Sequence, residues 1–587
     1  MSRVSTNTVG LRYIHEDSLG VPGVDNEWKK LEPNDISTFG ATISTVARNP
    51  ISSERQRKKG TVTDLDSAVE FDADMTMGHA LDFLEGFVFA VWAGAPVYGE
   101  HETEQVTATS TSAYTVTNNA SNPALDEFVL VYGRGFTNSA NNGLHVVDAG
   151  ATSTSVAVKE TLVAEASPPT AARLEVCGIQ AASGDLTVAI TSGVTTIVSA
   201  GGLDWTDTDY DLKVGQMVWV GGDTAVTQFV DNTVNRGWGR IIAITSTVLS
   251  IDNTTTTFAT DAGTSKTVQI FFGRFLRNVS TSDADYLERS YTFEAEYPDL
   301  DSVGTPEYEY AKGNFCNQVA FNLPLADKAT GTFGFIGTDT EVPVTTRKVG
   351  ATAVVVAGGG TGYSVNDVIT LTGGTFSAAT TLIVTAETGG VIDAGGVDIL
   401  TAGTYTVVPG NPVAQGSVAP SGGASATFTM TYGANTLEPL QTTALNTSSD
   451  IARIRFTDTS ENIITTYFKS LTFTINNNVT PEKALGTLGA VFVNTGNFEI
   501  DIEAQLIFTD SDVITAIRNN QTLMMQFSLR NDDGTLFFDV PAMTIGGGDK
   551  EYPENESVLI NTPGQAVEDA TLGTSIGISH FPFTPSS

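Results

Sequence analysis

The chain is predicted to be mainly β: two tandem β-sandwich or barrel domains, each with one short helix, with small β domains inserted. Three observations carry this. Polar and apolar residues alternate from end to end, as in Glu288–Glu296 (ERSYTFEAE) and Phe498–Phe508 (FEIDIEAQLIF), the period of half-buried strands. Helical periodicity is sparse. One order of elements also occurs twice, which makes an internal repeat the first architectural question.

Composition narrows the function. The chain has 587 residues, about four domains on length alone, and a net charge of −37 from 30 Lys+Arg against 67 Asp+Glu. Gripping nucleic acid takes clustered cations, so this balance disfavours it, while leaving room for a protein past which nucleic acid slides. With 41% apolar and only 17% charged residues, the chain is not a disordered acidic tail. Two cysteines, Cys177 and Cys316, exclude a disulfide framework. The N-terminal residues show no apolar export signal, and no apolar run reaches the roughly 20 residues a membrane-spanning helix needs. Five scattered histidines are thin material for metal or general-base chemistry, so no enzyme, cofactor or metal is expected.

In chain order, residues 1–97 form the first part of one body domain, ending in a helix predicted over Met77–Trp92 after Thr76, with Ala80, Phe83, Leu84 and Phe87 on one face. Residues 98–202 read as a polar inserted β region. Residues 203–277, with LKVGQMVWVGG and RGWGRIIAITSTVLSID, read as a small five- or six-strand barrel. Residues 278–348 return to the first body domain. Residues 349–434 are Gly-, Thr- and Ala-rich, without Lys or Arg, and read as a shallow β module on the surface; its alternating VITLT and ATFTMTY argue against a flexible linker. Residues 435–587 form the second body domain, with a helix predicted over Asp512–Asn519.

The repeat is one of order. Thr42–Leu84 runs strand, polar loop with cations, Gly60, strand, helix; Thr472–Ile517 runs strand, polar loop with Lys483, Gly486, strand, helix. The same offset separates Phe71 from Phe498, Asp74 from Asp501, and Asn49 from Asn476. Tyr291–Glu296 then matches Met525–Arg530 as the strand after the helix.

Three stretches, Ala47–Asp74, Tyr308–Pro324 and Asn476–Gln505, give the chain its resemblance to the tail tube (major tail) proteins of long-tailed, siphovirus-type bacteriophages. The two tube-like copies would cover roughly half the chain, and the inserts resemble the surface domains such proteins carry. The resemblance implies a structural virion protein, assembled in the host cytoplasm and located in the phage tail. It self-assembles into stacked rings with an inner β-barrel, a conduit for double-stranded DNA during ejection that binds no sequence. The usual ring is a hexamer. Two fused copies imply a homotrimer with pseudo-sixfold symmetry, the homohexamer being the alternative. Implied partners are the tape measure protein and the tail terminator and tail tip proteins.

Candidate sites follow. The loop between the first paired strands holds Arg48, Arg55, Arg57, Lys58 and Lys59 against Glu54, the clearest basic patch on an acidic chain. It reads as an inter-ring contact, with a nucleic-acid clamp or a solvated loop as alternatives; the second loop offers only Glu482 and Lys483. Asp72, Asp74, Glu499, Asp501 and Glu503 are candidate lumen or subunit-interface acids, since a negative wall repels DNA phosphate. Asp207, Asp209 and Asp211 open like a calcium loop but lack its glycine and closing Glu, so a solvated turn is favoured. Gly546–Gly548 before Asp549 and Lys550 lacks the remainder of a phosphate loop and reads as a β-turn. Asp64 with Asp66, and Asp72 with Asp74, mark no substrate cleft. Trp205, Trp219 and Trp238 read as core rather than a sugar site. The rival from another class is a glycan-binding fibre or adhesin of a virion or cell surface.

Overall fold

The alternating segments pair at long range, and the fold is built from those pairings. The computed structural model describes all residues except 1–4, 24–26, 50, 52–54, 95–96, 99–105, 117–123, 170, 192–193, 232, 253–257, 299–305, 440–441, 460–461 and 586–587. The body strands are β1 (Gly10–Ser18), β2 (Pro33–Arg48), β3 (Lys58–Asp74), β4 (Ser290–Tyr297), β5 (Glu307–Leu323) and β6 (Thr330–Gly337). They continue as β7 (Ile451–Asp458), β8 (Phe468–Asn476), β9 (Thr480–Lys483), β10 (Ala490–Asn494), β11 (Glu499–Ile507) and β12 (Leu523–Asn531). The last are β13 (Gly534–Ile545), β14 (Asp549–Glu551), β15 (Leu559–Ala566) and β16 (Gly577–Phe581); α1 is Phe83–Val88 and α2 is Asp512–Arg518.

The pairing falls into two runs. In the first, neighbours follow the order β1–β4–β5–β6–β3–β2, all antiparallel. In the second they follow β7–β12–β13–β15–β11–β8, also all antiparallel. Taken along the chain, each run has two strands and a third before its helix and three strands after it. The runs are joined edge to edge where the C-terminal half of β5 pairs β8, Val319 opposite Ile475 and Phe321 opposite Phe473.

One hydrophobic core fills both runs. Val69, Phe71 and Ala73 of β3, Val319 and Phe321 of β5, Leu471, Phe473 and Ile475 of β8, and Ile500, Ile502, Ala504 and Leu506 of β11 all point into it. Phe71 stacks on Phe333 at 5.3 Å between ring centroids, and Phe527 on Phe538 at 4.4 Å. Each such buried side chain contributes roughly 1.5–3 kcal/mol relative to exposure, so the shared core binds the two runs into one body.

Both helices are short plugs over this core. The first is briefer than the 16 residues expected: a 3-10 turn over His79–Asp82 leads into α1, and Phe89 ends it in the left-handed region at φ 53°. Phe83, Leu84 and Phe87 are buried as the periodicity predicts. In α2, Val513 and Ala516 face inward.

The inserted region differs from the expected pair of pieces. Strands from both sides of residue 202 share one ten-stranded sheet: Arg173–Gln180 pairs Gln269–Phe271, and Val194–Ser199 pairs Val248–Ile251. A single apolar cluster runs from Val106 to Phe272. Residues 203–277 are thus half of a larger sheet rather than a separate barrel, because their strands find partners upstream that local patterning does not encode. This insert is welded to the body. Trp238 lies against Phe537 and Phe581, and the buried Arg240 guanidinium grips Asp539 through Nε at 2.7 Å and Nη2 at 2.9 Å. The Gly-rich stretch is folded, with a six-stranded sheet and a cluster of its own from Ala351 to Met430.

Candidate assembly surface

The sheet around the β5–β8 joint has one apolar and one polar face, because side chains alternate along every strand. Residues directly opposite one another run across six strands in the row Asp72 (β3), Thr332 (β6), Ala320 (β5), Thr474 (β8), Asp501 (β11) and Gln565 (β15). A second row runs Asp74, Thr330, Asn322, Thr472, Glu503 and Pro563. Glu499 stands opposite Asn476 on the same face. All five candidate acids therefore share one surface, the side away from the core, and neither row holds a cation. The intervening partners are Thr, Asn, Gln and small residues. Gln565 Nε2 donates to Asp501 Oδ1 at 3.2 Å, and Thr472 Oγ1 donates to Asn322 Oδ1 at 3.2 Å. At one margin Lys328 pairs with Asp74 at 2.7 Å.

Above this sheet β2 and β3 continue as a long hairpin that carries the basic loop. Arg48, Arg55, Arg57, Lys58 and Lys59 are all exposed; Glu54 lies outside the described residues. Arg48 is opposite Lys58 in the ladder, so the two cations stand side by side at the base of the loop. Ile43, Val46 and Val62 on the same arm are also exposed.

The second loop is a hairpin of β9 and β10 lying against the first. Lys483 Nζ donates to Asp64 Oδ1 at 2.7 Å and to Asp66 Oδ1 at 2.6 Å, both on β3. These bonds raise the ammonium pKa, the Asp64 bond most, and hold the Asp64 carboxyl below its ordinary value. Glu482 accepts from Asn494 Nδ2 at 2.8 Å. Lys483 is engaged within the chain as a brace between hairpins, which also accounts for Asp64 and Asp66. Sequence reasoning missed this contact, together with the exposed apolar residues Leu485, Leu488 and Phe492 on the second hairpin.

The remaining candidates fall into ordinary structural roles. Trp205 and Trp219 are buried, and Trp238 lies in the seam between insert and body. Asp211 turns away to pair with Lys213 at 3.0 Å and to accept from the Gly94 N–H. Asp207 and Asp209 instead approach Asp126; Asp209 accepts from the Asp126 N–H at 2.7 Å, and burial pushes its pKa up to about 6. Gly546–Gly548 connect β13 to β14, with Gly547 and Gly548 at φ 74° and 94°, a conformation that favours glycine.

Residues 397–566 match the model of a protein family described as phage tail tube protein. The match begins on the strand Val397–Thr401 of the Gly-rich module and ends at the last residue of β15, so it takes in the whole of β8, β11, α2, β12 and β13. No curated protein matches the chain. Among the described residues no helix is long and apolar enough to cross a membrane.

Proposed function

We propose that this protein is the subunit of a phage tail tube, a structural virion protein that self-assembles into stacked rings and conducts double-stranded DNA. The observation that carries this reading is the tail tube family match over residues 397–566, which falls on the strands completing the acid-lined sheet. In the assembled tube the face bearing Asp72, Asp74, Glu499, Asp501 and Glu503 lines the lumen. Negative charge there repels phosphate, and the Thr, Asn and Gln between the acids give a wetted wall without a grip, so the duplex slides.

The equal pairing order of the two runs supports a duplicated tube domain. Each chain then fills two of six positions, and three chains close a pseudo-sixfold ring. The basic hairpin tip, Arg48 and Arg55 to Lys59, meets the acidic face of the next ring, with Lys483 holding that arm upright. Rim ion pairs of this kind set register and orientation more than affinity. Head-to-tail stacking does not close on itself, so it yields a filament, whose ends are met by the tape measure, terminator and tip proteins.

Negative-stain electron microscopy of the purified protein tests the reading. Hollow filaments whose end-on averages show three lobes around a sixfold-like ring are expected. Six equivalent lobes related by true sixfold symmetry reject the duplication and keep the tube. A closed, lumen-free trimer with splayed arms rejects the tube in favour of an adhesin.

A further inference from the structure

The joint inside the chain points to the joint between chains. Where the runs meet, β8 is covered on both edges, by β11 and by β5, and its inward residues Leu471, Phe473 and Ile475 are 1%, 0% and 0% exposed. The strand in the same place in the first run is β2. Among the described residues it pairs only β3, and none of its 16 residues is buried; Ile36 and Phe39, inward-facing on the ladder, are only half-covered. An uncovered edge of that length invites another strand.

The complementary edge lies in the second run. In the first run the half of β5 that pairs β6 also takes β8 on its other side. Its counterpart on β15 is β14, reached from β13 through Gly546–Gly548, and all three of its residues are exposed. Ala73 and Leu506 are each the last buried residue of β3 and β11 before the helix, and the hairpin bulges at Pro33/Asp35 and Phe468/Ser470 match in that register, so the structure shifts the two runs by six positions from the Asp74–Asp501 offset expected from the sequence. Reading across from Ala73 gives Gly331 and Phe321; reading across from Leu506 gives Ile560 and Lys550. Lys550 thus takes the place of Phe321, and Glu551 that of Asn322. Phe321 faces Phe473 and Asn322 faces Thr472. By the same equivalence Phe39 takes the place of Phe473, and Thr38 that of Thr472.

We propose that β14 of one chain adds antiparallel to the open edge of β2 of a second copy over Ile36–Phe39, with Glu551 opposite Thr38. The proposal rests on the tube reading and supplies its lateral contact. It makes the ring's joints unequal. The joint within the chain is fixed by buried phenylalanines. The joint between chains has Asp549, Lys550 and Glu551 in their place, on a short strand that Gly546–Gly548 leave adjustable. The contact runs from one surface to a different one, so it propagates around a ring, and it extends the polar face from one chain to the next without a break.

Engineered disulfides test this. Residues directly opposite have Cβ atoms roughly 4.5–5.5 Å apart, close enough for a bridge where the pair is favourably oriented. Glu551→Cys is combined in turn with Ser37→Cys, Thr38→Cys and Phe39→Cys in the full chain; Cys177 and Cys316 are buried and do not compete. Assembled protein is oxidised and run on non-reducing gels beside the single-cysteine controls, with electron microscopy of the same samples. The expected result is interchain bonding of at least one pair in more than half of the chains, in a ladder that ends at three chains. A ladder reaching six keeps the joint and overturns the three-chain ring. Rings or tubes on the grid with no pair above its controls overturn the joint and leave the tube reading standing. Protein that forms neither rings nor tubes and no interchain bond overturns both.

Discussion

At the residue scale, close approach and burial decide the outcome. Gly86 in α1 lies where an added Cβ would come 2.6 Å from Cys316 Sγ and 2.7 Å from Tyr291 Oη, both on fully buried side chains. Alanine gains about 1 kcal/mol of helix propensity over glycine, but overpacking of about 1–3 kcal/mol outweighs it. Gly86→Ala is therefore expected to lower the denaturation midpoint; a higher midpoint contradicts the contact. Asp209 acts through protonation. Burial first, then the neighbouring charges of Asp207 and Asp126, lift its pKa to about 6. Between the ordinary carboxylate range and pH 6 the folded chain keeps a proton the unfolded chain has lost. Stability from this group consequently falls as pH rises through that window and stays lower above it. Asp209→Asn keeps an acceptor for the Asp126 N–H and removes the penalty. A gain on the order of 1 kcal/mol is expected above pH 6 once solvent screening is allowed for. Denaturant midpoints at pH 4.5 and 7.5 check it, and an unchanged difference between the two pH values rules it out.

At the element scale Lys483 ties the two hairpins together through Asp64 and Asp66, and the proposed stacking role assigns the contact to one hairpin and the bracing to the other. Exposed ion pairs are worth about 0–1 kcal/mol, so Lys483→Ala should leave the subunit's melting temperature nearly unchanged while reducing filament yield. A large loss of stability would make Lys483 a folding residue instead. Deleting Arg55–Lys59 should leave subunit folding intact and impair ring stacking, most at low salt, because raised salt already screens in the intact chain the ion pairs the deletion removes. Filaments of normal length from that deletion rule out the inter-ring role. The parts of this surface visible in the sequence are those set by a period of two. FEIDIEAQLIF places Ile500, Ile502, Ala504 and Leu506 inward and Glu499, Asp501 and Glu503 outward, because alternation along a strand is local information. What stayed hidden depends on contacts between distant positions. Lys483 meets Asp64 across 419 positions, Arg240 meets Asp539 across 299, and the insert's two pieces merge through strands that local patterning does not pair. α1 is shorter than the apolar stripe predicts at both ends, because His79–Asp82 take a 3-10 turn and the apolar residues past Phe89 pack as an extended segment.

At the scale of the whole molecule, the two inserts differ in how they are attached, and that difference predicts which is dispensable. The ten-stranded insert shares the Trp238–Phe537–Phe581 cluster and the buried Arg240–Asp539 pair with the body. Removing it would strand Asp539 without its cation and expose core aromatics, so excision should unfold the subunit. The Gly-rich module has its own core, and its two ends leave side by side: Gly350 pairs with Gly433 at the base of its outermost ladder. Paired strands place such residues roughly 5 Å apart, a gap that two residues span. Replacing residues 350–433 by a two-residue Gly-Ser linker should therefore give a folded subunit that still forms filaments, each chain lacking one surface lobe in end-on averages. The family match bears on this test, because it starts at residue 397, within the module. If the module is an appendage, the deletion assembles. If its last strands belong to the tube proper, the deletion variant folds without assembling or fails to fold, and the proposed second tube domain begins upstream of residue 435.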